Sequence, residues 1–327
     1  MRSVLVYFAT ILTTALVVGC PANGKARAAE APAVVASIVP IHSLVAGVMD
    51  GVGSPHLLLP GGASPHAYAL KPSDARQLTQ ARVVFWVGEA LETFLERPLA
   101  TLAQNARVVE LLEARSLVRL ALRSGGLWET HVEDSAGPKG NEPENHHQKE
   151  DYHHKGVDAH IWLDPANARA IVAAIATALI EVDPDNTARY AANAKAMDGR
   201  LQVLDSSLKN TLQHIKNKQY IVFHDAYQYL ERRYGLAAAG AVTVSSGRSP
   251  GARRLIEIRA RIRTASATCV FIEPQFEPRL AETVVEGTGA QIAVLDPLGA
   301  TLAPGKDAYF ALMEGLASAL VRCLTRP

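Results

Sequence analysis

Residues 197–215 read MDGRLQVLDSSLKNTLQHI, and this stretch decides the architecture. Its apolar side chains recur every three or four positions with polar residues between them, which predicts an amphipathic helix with one buried stripe. The stripe consists of Met197, Leu201, Leu204, Leu208, Leu212 and Ile215. Flanking residues extend the helix, and roughly thirty residues at about 1.5 Å each reach about 45 Å, enough to run across two domains. We interpret residues 185–217 as a connecting helix.

Short apolar runs of strand length alternate with helical patterns on both sides of this connector. Strand and helix in turn predict mainly parallel sheets covered by helices. We therefore expect an α/β protein with an N-terminal lobe at 30–184 and a C-terminal lobe at 218–327. The first strand is expected to end at Pro40. The predicted strands lie at 33–39, 57–59, 83–87, 108–111, 220–223, 241–244, 269–272 and 292–295.

The charge balance bears on possible partners. The 327 residues carry a formal net charge of +1, so the overall balance favours neither nucleic acid nor an anionic membrane surface. We expect no nucleic-acid partner and a monomeric protein.

The first 29 residues have the layout of an export signal. Arg2 precedes an apolar run at 4–18 that is short for a membrane span. Two cleavage points fit: a lipoprotein-like box that ends at Cys20, which would then be lipidated, or the small-residue site at 26–28. Both place the mature protein outside the cytoplasm.

Two cysteines, Cys269 and Cys323, are left in the mature chain. An oxidising compartment favours a disulfide between them over two free thiols. Two separate buried thiols that pack as small apolar residues are the alternative.

A polar, histidine-bearing segment at 131–156 interrupts the N-terminal lobe. It has almost no apolar residues after position 137, so it cannot bury enough surface to order itself. Such a segment is commonly a solvated insertion, but paired histidines in a polar tract also bind metal weakly. We expect low-affinity metal binding at His146, His147, His153 and His154, with His131 upstream.

Three histidines and one aspartate stand at or beside predicted strand ends that border loops or helix starts. They are His66, His160, His224 and Asp296. Ligands of open α/β sheets bind at such positions. Three imidazoles and one carboxylate suit a tetrahedral Zn²⁺ site, because imidazole nitrogen suits zinc better than it suits Mg²⁺, Ca²⁺ or Mn²⁺. Taken singly, each histidine is more often a hydrogen-bonded structural residue, and Asp296 before a proline is also typical of a turn.

Five segments, in this order along the chain, resemble the periplasmic zinc-binding proteins of the ZnuA family. They are PGGASPH at 60–66 with KPSD at 71–74, HIWLDP at 160–165, FHDAY at 223–227, CVFIEPQF at 269–276 and DPLG at 296–299. The resemblance runs from about residue 33 to residue 323, apart from the histidine-bearing segment. It implies two pseudo-symmetric lobes joined by a long rigid helix, and a function in delivering Zn²⁺ to a membrane permease that is powered by an ATPase.

The resemblance also implies the site. It places three histidine ligands at His66, His160 and His224, and it pairs Cys269 with Cys323. The fourth ligand is Asp296 or water, because Pro65 stands where some relatives have a glutamate. Separately from the resemblance, Glu273 is expected to hydrogen-bond around the site, and Asp158 or Asp225 to orient a ligand imidazole through its second nitrogen.

Three other functions stay open at this stage. A manganese carrier of the same class would be expected to replace an imidazole with a carboxylate. A zinc hydrolase would also use three histidines, but the chain has no His-Glu-x-x-His motif to supply a base. A periplasmic zinc buffer or adhesin would not feed a transporter.

Overall fold

The computed structural model describes residues 31–128, 156–243, 251–276 and 278–326. The predicted export signal with Cys20 lies outside the described residues. So do His131, His146, His147, His153 and His154 of the predicted histidine-bearing segment.

The first half of the described chain forms a parallel sheet of four strands in the order β2-β1-β3-β4. Helices connect the strands, as parallel pairing requires. The strands are β1 (Val34–Ala36), β2 (His56–Leu57), β3 (Val83–Trp86) and β4 (Arg107–Glu110), and the helices are α1 (Val39–Val48), α2 (Pro72–Gln80) and α3 (Glu96–Leu102).

A second sheet of four parallel strands follows, in the order β6-β5-β7-β8. In both sheets the first strand of the set lies between the second and the third. This repeated order confirms the predicted pair of similar α/β lobes with parallel sheets. The elements are β5 (Gln219–His224), β6 (Ala237–Thr243), β7 (Cys269–Ile272), β8 (Gln291–Val294), α6 (Gln228–Tyr234), α7 (Ala252–Thr264) and α8 (Pro278–Val285).

Two long helices lie between the sheets in sequence, α4 (Pro165–Val182) and α5 (Thr187–Leu212). Asp164 begins α4 as predicted, since its carboxylate accepts a hydrogen bond from the backbone N–H of Ala166. The 26 residues of α5 span about 39 Å, and a short 3₁₀ turn at 213–215 completes the predicted connector. All six residues of its apolar stripe are buried.

The last helix, α9 (Ala308–Leu324), packs on both α1 and α5. Tyr309 at its start donates its backbone N–H to Ser43 Oγ in α1, at 2.9 Å. One hydrophobic core therefore includes residues of both sheets and of the helices between them. Residues from 31 onward form one compact unit, and the lobe boundaries predicted above stay a prediction.

Two local expectations were wrong. Pro40 does not end a strand, because β1 ends at Ala36 and Pro40 lies in the first turn of α1. A helix tolerates proline there, since the first N–H groups have no partner within the helix. Residues 161–163, after His160, form a 3₁₀ turn instead of a strand end, and His66 lies in the long loop between β2 and α2. Of the three histidines, only His224 ends a strand.

The disulfide between Cys269 and Cys323 is present, with their Cα atoms 6.2 Å apart. It joins the first residue of β7 to the last turn of α9. The bond therefore ties the C-terminal sheet to the helix that packs on the N-terminal half.

Replacing both cysteines by alanine is expected to lower the free energy of unfolding by about 4 kcal/mol, because the bond closes a loop of 54 residues. Alanine is preferred to serine, since both positions are buried. Urea unfolding of the variant, beside wild-type protein with and without reductant, measures the change. An unfolding free energy equal to that of the oxidised wild type would contradict a stabilising role.

Candidate metal centre

The structure brings His66, His160 and His224 together. The ring centroid of His66 lies 5.8 Å from the ring centroid of His160 and 5.8 Å from that of His224. The ring centroids of His160 and His224 are 5.0 Å apart. One nitrogen from each ring lies within 4.8 Å of the other two. These three residues form the one such group of histidine, cysteine or carboxylate ligands among the described residues.

The C-terminal sheet explains the position of His224. This residue ends β5, and Glu273 directly follows β7, the strand paired with β5. The strand order reverses between these two strands. Crevices at the carboxyl ends of such strand pairs are the usual ligand sites of open α/β sheets.

Two buried carboxylates orient two of the imidazoles. Glu273 Oε1 accepts a hydrogen bond from His224 Nδ1 at 2.6 Å, and Asp158 Oδ1 accepts one from His160 Nδ1 at 2.8 Å. Asp158 also accepts the backbone N–H of His160. With Nδ1 engaged, both rings present Nε2 to the same point, and these two atoms are 3.2 Å apart. The structure therefore contains the hydrogen bond expected of Glu273 at the site and the one expected between Asp158 and a ligand imidazole.

The Glu273 carboxylate also changes the electrostatic surroundings of His224. Burial by itself lowers the pKa of His224, but the adjacent Glu273 carboxylate outweighs burial and raises the pKa above its ordinary value.

The pKa of His66 is shifted in the opposite direction to that of His224. Burial, together with the two nearby histidines, holds the pKa of His66 well below its ordinary value. Its Nε2 atom is buried and has no hydrogen-bond partner in the protein. A neutral imidazole with an unused buried nitrogen is the form that a metal ion binds.

The spacing of the nitrogens fits Zn²⁺. Zn–N bonds of about 2.05 Å in a tetrahedron place two ligand nitrogens about 3.3 Å apart. His160 and His224 already have this separation, at 3.2 Å. The ligand nitrogen of His66 lies within 4.8 Å of the nitrogens of both other rings, so His66 must move closer to them to complete a three-histidine set.

The structure does not bring Asp296 into this group. Its carboxylate accepts hydrogen bonds from three backbone N–H groups, those of Leu298, Gly299 and Ala300, at 3.0, 2.9 and 2.6 Å. These bonds shape a turn after β8, as expected for an aspartate before a proline.

The Asp296 turn supports the loops that carry the other ligands. Trp162, two residues after His160, donates its indole N–H to Pro297 O at 2.8 Å. Gly61, in the loop that carries His66, lies so close to Ala300 that a Cβ would be 2.2 Å from the carbonyl oxygen. Only glycine allows this approach, so the turn fixes the loop at its start.

A further pair of contacts beside the site involves Arg123 and Tyr229. The Arg123 guanidinium is paired with Asp225, which follows His224, and with buried Glu231 of α6. Asp225 therefore does not orient an imidazole. Tyr229 donates its hydroxyl hydrogen to Asp158 O at 2.8 Å and accepts the N–H of Leu120 at 3.0 Å. Sequence reasoning missed Arg123 and Tyr229, because their partners are 71 to 109 positions away and no local pattern marks them.

Apolar side chains close the remaining sides of the cavity. Pro65, Phe276 and Leu298 line it together with the three histidines. The Phe276 ring stacks on Phe223 at 4.5 Å and meets His224 edge-on at 6.0 Å. The imidazoles therefore lie in a small, mostly apolar cavity with a few polar groups, which is typical of an ion-binding or ligand-binding site.

Comparisons with known proteins agree with this geometry. Residues 34–323 match the family described as zinc-uptake complex component A, periplasmic, or ZnuA. The high-affinity zinc uptake system protein ZnuA of Brucella suis biovar 1 (strain 1330) is 45% identical over 321 residues, which cover 93% of this chain and 95% of that protein. The protein of the same name from Yersinia pestis is 37% identical over 320 residues, covering 96% of each.

A crystal structure of ZnuA has the same fold, with a TM-score of 0.73 at 23% identity over 90% of this chain and 100% of that one. The match of the family to nearly the whole described chain, and the identity to the Brucella protein, establish the relationship. The chain belongs to the ZnuA family of periplasmic zinc-uptake components.

Proposed function

We propose that this chain captures Zn²⁺ in the periplasm and delivers it to the membrane permease of an ATP-driven zinc importer. The observation that carries the proposal is the convergence of three imidazole nitrogens within 4.8 Å of one another. Membership of a family described as a periplasmic component of a zinc-uptake complex supports the compartment, the cargo and the partner. Capture is binding without chemistry, so we propose no enzymatic step.

In this proposal His66, His160 and His224 bind the ion through Nε2. Asp296 is bonded to its own turn, so a solvent molecule is the fourth ligand. A shell of three imidazoles is softer than the oxygen-rich shell that Mn²⁺ prefers. The ligand set therefore favours zinc over manganese.

Loss of a hydrogen-bond partner behind a metal ligand weakens metal binding by about 10-fold to 100-fold. Replacement of His66, His160 or His224 by alanine, one at a time, is expected to weaken zinc binding by more than this. The reason is that each replacement removes one of three protein ligands. Calorimetric titration of metal-stripped protein with Zn²⁺ and with Mn²⁺ measures the effect.

The matched control is His214→Ala, which removes an exposed imidazole on the 3₁₀ turn after α5. Its zinc affinity should equal that of the wild type. Tight binding that survives all three cavity replacements, or tighter binding of Mn²⁺ than of Zn²⁺, would refute the proposed site. Uptake of radioactive zinc by cells that express the chain with its permease and ATPase tests delivery separately.

Zinc affinity is expected to fall as the pH is lowered, beginning above the ordinary histidine pKa. The raised pKa of His224 means that a proton still occupies the site at a pH where a free imidazole is neutral. Displacing one proton makes the Kd about tenfold weaker per pH unit below that pKa. His66, whose pKa is lowered, adds no proton in this range. A Kd that stays constant from about pH 8 down to about pH 5.5 would contradict this assignment.

Glu273→Gln is expected to weaken zinc binding by about 10-fold to 100-fold at pH 8. The amide can still accept from His224 Nδ1, but the negative charge that raises the pKa of His224 is lost. The onset of the pH effect should therefore move to lower pH. Glu286→Gln, at an exposed carboxylate after α8, serves as the control. If Glu273→Gln has the same pH profile as the wild type, the charge of Glu273 is not the cause of the pH dependence.

A further inference from the structure

Gln275 lines the same cavity as the three histidines. Both polar atoms of its side-chain amide, Oε1 and Nε2, are buried, and neither has a hydrogen-bond partner in the protein. Native proteins seldom leave such groups unpaired, because burial then costs the free energy of their lost hydration. An amide with both ends unsatisfied beside an ion-binding group therefore points to a ligand that satisfies it.

The backbone on both sides of Gln275 is anchored to the site. The segment turns directly after β7, where Phe276 donates its N–H to Glu273 O at 3.1 Å. Glu273 is hydrogen-bonded to His224, and Phe276 meets the edge of the same imidazole. Gln275 thus stands between two residues that are both anchored on His224, so its position is coupled to that of a ligand.

We propose that Gln275 hydrogen-bonds the solvent molecule that completes the zinc shell. The inference rests on the proposed function and deepens it. A zinc-bound water donates its hydrogens, and amide Oε1 accepts one of them, whereas amide Nε2 can donate to a bound hydroxide. Gln275 therefore matches either protonation state of that solvent molecule.

The same position sets metal preference. In this proposal a carboxylate at residue 275, equal in length to the amide but negatively charged, would replace the solvent molecule and add a hard oxygen ligand, which Mn²⁺ prefers. The neutral amide keeps the shell at three imidazoles and one water. Gln275 is accordingly a specificity-determining residue in this proposal, whereas Glu273 is a positioning residue that acts through His224.

Two variants test the inference, Gln275→Leu and Gln275→Glu. The leucine has a similar volume and removes both polar atoms, so the metal-free protein should be at least as stable as the wild type while zinc binds about 10-fold to 100-fold more weakly. Gln275→Glu should raise the affinity for Mn²⁺ relative to Zn²⁺ by at least about tenfold. The measurements are urea unfolding of metal-free protein, calorimetry with both ions, and the visible absorption spectrum of the Co²⁺-loaded protein, which reports the ligand set directly.

A matched control is Gln228→Leu. Gln228 also has a buried side-chain oxygen without a partner, but it lies at the start of α6 and does not line the cavity. Its replacement should leave the zinc affinity and the Co²⁺ spectrum unchanged.

The outcomes separate this inference from the proposed function. If the wild type itself lacks a tight zinc site, the proposed function fails. If the wild type binds zinc tightly and Gln275→Leu has the same affinity and the same Co²⁺ spectrum, only the role of Gln275 is overturned. A loss of stability in metal-free Gln275→Leu with unchanged zinc binding would likewise reduce Gln275 to a structural residue.

Discussion

The hydrogen bonds from the imidazole Nδ1 atoms of His160 and His224 to Asp158 and Glu273 are the constraint on which the site depends. An imidazole can bind a metal through either nitrogen, and a free ring can turn. A carboxylate on Nδ1 selects one nitrogen and one ring orientation. Because both carboxylates are almost fully buried, neither bond competes with water. The two Nε2 atoms consequently meet at a separation that a zinc ion requires.

Contacts between distant parts of the chain hold these pairs in register. Asp158 lies before α4 and Glu273 follows β7, so the two imidazoles belong to different halves of the molecule. Tyr229 of α6 binds the carbonyl of Asp158, and Trp162 binds the turn shaped by Asp296. The disulfide and α9 add a covalent and an apolar connection between the same halves. Such coupling favours small adjustments of the ligands on binding over a wide hinge movement.

Much of this could be predicted from the sequence, because the signals are local. The apolar period of three to four residues identified α5, and Asp164 before Pro165 identified the start of α4. The error at Pro40 arose because one local signal has two meanings, since a proline can end a strand or begin a helix. Asp296 is ambiguous in the same way, because an aspartate before a proline can bind a metal or shape a turn. Gln275, Arg123 and Tyr229 had no local signal at all, since their surroundings exist only after distant segments come together.

The balance of charge connects capture with release. Two buried carboxylates hydrogen-bond the histidine pair, and Glu273 raises the pKa of His224, which favours its protonated form. A Zn²⁺ ion brings two positive charges to the same two carboxylates, so a proton on His224 would leave as the ion enters. A third carboxylate in the shell would leave the bound site negative and hold the ion more tightly. A neutral fourth ligand instead keeps bound zinc exchangeable against protons, which is what a carrier that must give up its cargo requires.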